Sequence, residues 1–200
     1  MTRDRLAIHD EDAELVIAWR RGEFSAFEEL VRKYQKRMLN IAYRCVGDYE
    51  AACEVVQDAF AAAYRGGESF RGAARFSTWL TGITVSLSRN RLPQSRNKRS
   101  SEAYPPGAPP ADFTGGAHRE HPSPSAPEQL EMLDLSEKLH GCIGALDADS
   151  REMIVLRDVQ GLTYEEICAI LVIREGTVKT RLSRAREMAK DCLKRAAGAL

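Results

Sequence analysis

Apolar residues recur at helical spacing through most of the chain, and no stretch alternates convincingly with a period of two. In the N-terminal half, Ser25 and Glu28 have the spacing of a capping box, and the apolar face that follows ends at Gly47. Further helices are predicted over 13–21, 49–65 and 76–92, the last ending at Pro93. The pattern therefore predicts an all-α fold without a sheet.

Two helices joined by a tight turn form the clearest local pattern. Thr163 and Glu166 have the spacing of a second capping box, and apolar residues follow at helical spacing. The next helix begins near Gly176 and would bury the stripe Val178, Leu182, Ala185 and Ala189. This arrangement is typical of a helix-turn-helix, whose second helix enters the DNA major groove.

The charge distribution supports a local DNA-binding surface and excludes a general polycation. The 200 residues carry 29 Lys and Arg against 29 Asp and Glu, whereas residues 174–195 carry eight basic residues against three acidic ones. Affinity for nucleic acid must therefore come from local patches or from a larger partner. The alternative is an ordinary amphipathic helix with a solvated basic face.

A composition change divides the chain into two helical domains. All eight prolines lie between Pro93 and Pro127, among many Ser, Gly and Ala residues. Such a segment cannot bury enough apolar surface to offset its ordering entropy. We therefore predict a domain over 1–93, a flexible linker over 94–126 and a second domain over 127–200. The second domain would add a helix from Ser125 and one from about Asp149; their apolar residues are Leu130, Leu133, Leu139, Ile143, Met153, Ile154 and Leu156.

The cysteines and histidines indicate neither a disulfide framework nor a metal site. The five cysteines lack a C-x-x-C spacing, and their odd number favours buried free thiols. We also find no nucleophile–base arrangement and no Gly-rich phosphate loop, so we expect no enzyme activity, cofactor or metal. No secretory segment or long apolar run is present in the sequence, and we expect a cytoplasmic protein without direct membrane insertion.

Five segments taken together resemble a known family. Residues 27–34 (FEELVRKY), 47–60 (GDYEAACEVVQDAF) and 70–80 (FRGAARFSTWL) resemble region 2 of bacterial sigma factors of the extracytoplasmic-function (ECF) group in the sigma-70 family. Residues 156–167 (LRDVQGLTYEEI) and 176–186 (GTVKTRLSRAR) resemble region 4 of the same family. A helix-turn-helix alone would be a weak signal, but the ordered combination is a strong one.

The resemblance implies transcription initiation without catalysis by this chain. The protein would bind core RNA polymerase, direct it to promoter DNA and open the duplex. The polymerase contact would be made by Glu54, Gln57 and Asp58 on the helix over 49–65. The resemblance also implies an anti-sigma factor as partner, which in this family often holds the sigma factor at the membrane.

The resemblance assigns two DNA-contact surfaces. Minus-ten recognition and strand opening would use the loop 71–75 and the next helix, with Arg71, Arg75, Phe76, Trp79, Ser86, Arg89 and Asn90, and with Arg91 as a further phosphate contact. For Phe76 and Trp79, a core position is the alternative to stacking on bases. In minus-thirty-five recognition, Lys179, Thr180, Ser183 and Arg184 would face base edges, while Thr177, Arg181 and Arg186 would hold phosphates.

Three positions depart from the family pattern, and two other functions stay open. Ser86 stands where the family usually has Asn, Val172 where it has the turn Gly, and Arg174 where it has Pro or Ser. A positive φ at Val172 would strain a β-branched residue. The rivals are a sigma-like protein that sequesters an anti-sigma factor and a stand-alone helix-turn-helix transcription regulator.

Overall fold

The structure, a computed structural model, describes residues 10–98, 135, 138–139 and 141–198. These residues form helices and connecting turns, with no strand among them, as predicted. We number the helices α1 (Ala13–Arg20), α2 (Phe24–Val46), α3 (Tyr49–Arg65), α4 (Phe76–Lys98), α5 (Ala148–Ile154), α6 (Tyr164–Leu171) and α7 (Glu175–Ala197). A short 3-10 helix, Gly67–Ser69, precedes α4, and a π-helical turn, Val155–Val159, follows α5.

The junction between α2 and α3 follows from its local sequence. Gly47 ends α2 in the left-handed conformation with φ 74°, which a residue without Cβ adopts at no steric cost. Asp48 then caps α3, because its side chain accepts a hydrogen bond of 2.8 Å from the backbone N–H of Ala51. The predicted bounds of α3 are confirmed.

Two predicted helix boundaries are wrong. The capping box at Ser25 and Glu28 does not form, because α2 begins at Phe24, directly after the turn at Gly22 (φ 98°). Pro93 does not end α4, which continues to Lys98. A proline removes one backbone hydrogen bond, but the residues beside it can keep helical dihedrals. A helix can therefore continue through a proline. The predicted linker, 94–126, therefore begins inside α4, and its residues 99–126 lie outside the described part.

Aromatic side chains fill the core where α1 meets α2, α3 and α4. The ring of Trp19 lies 5.0 Å from that of Phe27 and 6.1 Å from that of Phe76, measured between centroids. Gly67 allows this packing, since a Cβ at that position would lie 2.4 Å from Cζ2 of Trp19. The four N-terminal helices thereby share one core, and the loop 71–75 lies directly before its last helix, α4.

The C-terminal helices form a smaller core that is continuous with the first one. The predicted stripe on α7 is confirmed, because Val178, Leu182, Ala185 and Ala189 are all buried. Met153, Ile154 and Leu156 are buried as predicted, whereas Leu139 is 39% exposed. The predicted residues Leu130 and Leu133 lie outside the described part of the chain.

The prediction that all cysteines are free thiols is wrong for two of them. Cys142 and Cys192 form a disulfide bond, while Cys45, Cys53 and Cys168 are free. Fifty positions separate the bonded residues, so the chain must fold before their proximity becomes visible. An odd count indicates at least one unpaired cysteine but does not exclude a pair.

Candidate nucleic-acid interface

The helix-turn-helix formed by α6 and α7 is built as its capping signal predicts. The Thr163 hydroxyl accepts a hydrogen bond from the backbone N–H of Glu166, and the Glu166 carboxylate accepts one from the backbone N–H of Thr163. The turn between the helices places Val172 at φ 55° with 88% of its surface exposed. The left-handed backbone expected for a family glycine is therefore kept, at a cost of about 1 kcal/mol or more for the β-branched side chain.

The predicted DNA-contact residues occupy the outer side of α7. Its buried stripe lies opposite, and the exposed members of the set are Lys179, Thr180, Ser183, Arg184 and Arg186. Thr177 and Arg181 are half-buried at the margin of this face. The N-terminal half of α7 thus presents a polar, basic surface, and the major groove is wide enough to admit an α-helix.

Several of these cations already have partners inside the chain. Lys179 Nζ lies 2.7 Å from the carboxylate of Glu175, and Arg181 lies 2.9 Å from Asp149. Arg186 donates two hydrogen bonds to Asp158, at 3.0 and 2.5 Å. Among the described residues, Arg184 forms no ion pair. Exposed pairs contribute little stability, so a phosphate can replace them cheaply.

The N-terminus of α4 and the loop before it form the predicted strand-opening region. Arg71 and Arg75 are exposed on this loop, which turns through Gly72 at φ 66°. Asp10 holds the start of α4, since its carboxylate accepts a 2.8 Å hydrogen bond from the backbone N–H of Phe76. The loop is therefore held where it enters α4, while its arginines stay accessible.

Phe76 belongs to the core rather than to the surface. Its side chain is fully buried and lies between the rings of Phe70 and Trp79, at centroid distances of 6.0 and 5.8 Å. The predicted direct DNA contact at Phe76 is therefore wrong for this conformation, and its alternative, a core position, holds. Trp79 is half-buried and lines an open cleft.

That cleft lies between α4 and the first helix of the helix-turn-helix. It has a volume of about 430 Å³, and α6 contributes Ala169 and Ile170 to its lining, while α4 contributes Trp79 and Ser86. Across it, the Thr78 hydroxyl donates a 3.3 Å hydrogen bond to Glu166. The face of α4 predicted to contact the minus-ten element is thus partly covered by α6.

An ion pair joins the same face of α4 to α5. Arg89 donates hydrogen bonds of 2.6 and 2.5 Å to the carboxylate of Glu152, which is almost fully buried. Burial raises the pKa of Glu152, and the hydrogen bond and charge of Arg89 oppose that rise. A cation predicted to contact DNA therefore holds the two helical segments together.

Further hydrogen bonds fasten α2 to the C-terminal helices. Arg151 on α5 donates a 2.7 Å hydrogen bond to the carbonyl of Cys45 at the end of α2. The side chain of Gln160 bonds both Arg37, at 3.1 Å, and Asn40, at 3.3 Å. The two segments pack against each other through polar as well as apolar contacts.

The predicted polymerase-binding residues lie together on α3. Glu54, Gln57 and Asp58 are exposed and share one helix face. Arg91 of α4 forms an ion pair with Glu54 and approaches Asp58 to 3.5 Å. The two carboxylates of this face are thus held by α4, the helix that also carries the predicted minus-ten residues.

Sequence reasoning missed a buried carboxylate near the N-terminus. Asp12 is 1% exposed and accepts hydrogen bonds from the Tyr34 hydroxyl and, at 2.6 Å, from Lys33 Nζ. Burial and the hydrogen bond to Asp12 raise the pKa of Tyr34. The only local sequence signal for Asp12 was the acidic run before α1. The roles of Glu152 and Arg151 had no local signal, because their partners are distant in sequence.

Other kinds of site have little support in the described ranges. No group of three or more His, Cys, Asp or Glu side chains there could hold a metal ion. None of the helices in the part of the chain that the structure describes has the length and apolarity needed to cross a bilayer.

Two family models match the chain. The model described as Sigma-70 region 2 matches residues 30–98, and the model described as Sigma-70, region 4 matches residues 136–188. The first range contains α3, α4 and the loop between them, and the second contains the helix-turn-helix. The matches therefore coincide with the two candidate surfaces.

Full-length relatives show the same similarity. The chain is 40% identical over 182 residues to the ECF RNA polymerase sigma-E factor of Escherichia coli K12, covering 88% of this chain and 91% of that protein. It is 35% identical over 178 residues to the RNA polymerase sigma-H factor of Pseudomonas aeruginosa, covering 89% and 91%.

Solved structures agree on the fold. The chain resembles CnrH in its complex with the cytosolic domain of CnrY, with a TM-score of 0.64, 26% identity and coverage of 93% of this chain and 99% of that one. It also resembles the sigma factor RpoE in complex with the anti-sigma factor NepR from Bartonella quintana, with a TM-score of 0.59, 24% identity and coverage of 84% and 96%.

Proposed function

The chain belongs to the ECF group of the sigma-70 family and is an RNA polymerase sigma factor; from that premise we propose how its surfaces divide the work. A sigma factor is a transcription initiation factor, so the chemistry of RNA synthesis belongs to core polymerase. The region 2 domain extends to the end of α4 at Lys98, and the region 4 domain, which we place at residues 127–200, follows after the Pro-, Ser- and Gly-rich segment. Both domains bind promoter DNA, and the region 2 domain also binds core polymerase.

The polymerase-binding surface is the exposed face of α3 with Glu54, Gln57 and Asp58. Its support is geometric: the three polar side chains share one face, opposite the buried Val56 and Phe60. A helix with one buried and one polar face suits docking against a helix of a larger partner. Arg91 orients the two carboxylates through its ion pairs.

Minus-thirty-five recognition is the task of α7. Two observations carry this assignment: Arg184 is exposed and has no ion pair within the described ranges, and the opposite stripe of the helix is buried. Lys179, Thr180, Ser183 and Arg184 face base edges, and Thr177, Arg181 and Arg186 hold phosphates. Arginine bidentate to guanine would give about 1–3 kcal/mol of base discrimination.

Minus-ten recognition and strand opening use the loop 71–75 and the exposed side of α4. Arg71 and Arg75 attract the phosphates of the displaced strand. Trp79 lines the adjoining cleft, and Ser86, Arg89 and Asn90 contact the minus-ten element. Extruding a base costs a few kcal/mol, which contacts to the single strand must repay. Phe76 supports this surface from beneath.

Promoter binding requires the two domains to separate. Arg89 is paired with Glu152, and the α4 face borders α6, so the closed arrangement obstructs the minus-ten surface. Contacts with polymerase and DNA would replace the Arg89–Glu152 ion pair and the packing of α4 beside α6. We further propose that the protein acts in the cytoplasm and binds an anti-sigma factor, in analogy with the sigma factor RpoE, whose structure contains the anti-sigma factor NepR.

The test is transcription by purified core polymerase on a genomic DNA library. Adding the full-length chain is expected to produce transcripts with defined start sites that are absent without it. Specific binding to duplex DNA without core polymerase would instead favour the stand-alone regulator. Binding of an anti-sigma factor without any transcript would favour the sequestering protein.

A further inference from the structure

A disulfide bond joins the DNA-binding helix to a distant part of its domain. Cys192 lies on α7 and is half-buried, while Cys142 lies in the helical residues 141–145 and is 2% exposed. Their Cα atoms are 5.6 Å apart across a sequence separation of 50 residues. The loop that the bond closes contains α5, all of α6 and the predicted DNA-contact residues of α7.

The segment around Cys142 is itself a point of attachment between helices. Arg151 donates hydrogen bonds to the carbonyls of Ile143, at 3.2 Å, and Leu146, at 3.0 Å, as well as to that of Cys45. The bond to Cys192 adds the C-terminal part of α7 to this cluster. Its presence therefore restrains the helix that carries the DNA-binding face.

A stable disulfide is unusual for a protein that works beside RNA polymerase. Disulfides in a reducing compartment are transient and most often catalytic or redox-sensing. We propose that Cys142 and Cys192 form a reversible thiol–disulfide pair that exchanges with a low-molecular-weight disulfide of the glutathione type and thereby sets the stability of the region 4 domain. This inference rests on the proposed function for the compartment in which the protein acts.

The exchange has a defined order of attack. The Cys192 thiolate attacks one sulfur of glutathione disulfide, whose S–S bond breaks and releases one glutathione thiolate. The Cys142 thiolate then attacks the Cys192 sulfur of this mixed disulfide and releases the second glutathione thiolate. The two protons lost by the cysteines pass to the released thiolates, so the protein pair is oxidised by two electrons and glutathione is reduced.

Exposure decides which cysteine reacts first. Cys192 is reachable at the surface of α7, whereas Cys142 is enclosed. The Cys192 sulfur is therefore the one that a glutathione disulfide can approach. Cys45 does not compete, because burial raises its pKa to about 12.

Closing the loop stabilises the domain by restricting its unfolded chain. Loops of this length give a substantial entropic effect, and reduction is expected to lower the melting temperature of the region 4 domain by on the order of 10 °C. Oxidation would thus keep α7 folded, and reduction would make the DNA-binding helix easier to unfold.

The experiment places the full-length protein in glutathione buffers from fully reducing to fully oxidising. Free thiols are alkylated, the intact mass is measured, and the cross-linked peptide is mapped. The Cys142–Cys192 bond is expected at the oxidising end and its loss at the reducing end, with the melting temperature following the bonded fraction. A bond that persists in every buffer, or never forms, overturns the proposal.

Two variants separate the pair from general thiol effects. Cys168→Ser removes a half-buried free thiol of the same domain and should leave the redox-dependent melting shift unchanged. Cys192→Ser should melt like the reduced wild type in every buffer. A redox shift that survives in Cys192→Ser contradicts the assignment; if that variant does not fold, the wild-type mass measurement still decides. Neither measurement uses polymerase or DNA, so its failure is distinct from that of the proposed function.

Discussion

Arg89 on α4 donates two hydrogen bonds to the carboxylate of Glu152 on α5, at 2.6 and 2.5 Å. The carboxylate is almost fully buried, whereas the guanidinium side chain is 41% exposed. One residue therefore serves the closed arrangement of the two domains and, in our account, the phosphate backbone of the open one. The competition between these two partners links DNA binding to domain separation.

Replacing Glu152 by Gln should loosen the closed arrangement. The amide keeps the shape but removes the charge, and Arg89 loses its strong acceptor. Because Arg89 is partly solvated, we expect a loss of about 1–2 kcal/mol, or roughly 5–30-fold in the ratio of closed to open forms. Small-angle scattering should show a larger radius of gyration. Glu187→Gln, at an exposed site on α7, is the control, and an equal radius in both variants would contradict the account.

Replacing Val172 by Gly should stabilise the region 4 domain. The backbone there is left-handed, at φ 55°, and the side chain is 88% exposed, so little packing is lost. We expect a gain of about 1 kcal/mol in the free energy of unfolding, measured by urea denaturation. Val172→Ala keeps a Cβ and should gain less. A Gly variant less stable than wild type would show that the turn is not strained.

Arg184→Ala should relax base preference at one position of the minus-thirty-five element. The physical reason is the loss of a directed donor pair, at about 1–3 kcal/mol for the preferred base. Binding to a set of single-base promoter variants, with core polymerase present, measures this effect. Lys190→Ala, farther along the same helix, is the control. Uniform weakening on every sequence would assign Arg184 to a phosphate instead.

The cap of α5 should make stability depend on acid. Hydrogen bonds from the backbone N–H and hydroxyl of Ser150 hold the pKa of Asp147 below its ordinary value of 3.8. The ionised side chain of Asp147 therefore stabilises the fold above pH 3.8. This stabilisation is lost as the pH falls through the lowered pKa. Asp147→Asn keeps a capping acceptor that does not titrate. The stability of wild type relative to Asp147→Asn should be constant near neutral pH and fall below about pH 4; a pH-independent difference would contradict it.

Neutralising the α3 face should weaken polymerase binding. The double variant Glu54→Gln, Asp58→Asn removes two exposed charges without changing helix length, and we expect about a tenfold weaker affinity for core polymerase. The same variant also frees Arg91 from its ion pairs. Glu50→Gln, in the first turn of the same helix, is the matched control. Unchanged affinity, measured by titration of labelled protein, would move the interface elsewhere.

Local signals predicted most of the described helices and the exposed basic side of α7. The capping box at Thr163 and the buried stripe of α7 involve residues a few positions apart, where the helical period alone determines which side chains meet. The exposed residues of α7 followed as the complement of that stripe. Family resemblance then supplied roles that periodicity cannot.

Contacts between distant residues were not predictable in this way. The Arg89–Glu152 pair and the Cys142–Cys192 bond each depend on how whole helices pack, which no sequence spacing reveals. Pro93 and Ser25 failed for a different reason. Each is compatible with two local conformations, and the surrounding helix selected the one that the sequence pattern did not favour.

The most direct test of the central claim is strand opening on a promoter found in the library experiment. Permanganate reactivity reports unpaired thymines around the start site. We predict reactive thymines just downstream of the minus-ten element only when core polymerase and this chain are both present. Double-stranded thymines in that mixture, or the same reactivity with core polymerase alone, would contradict the account.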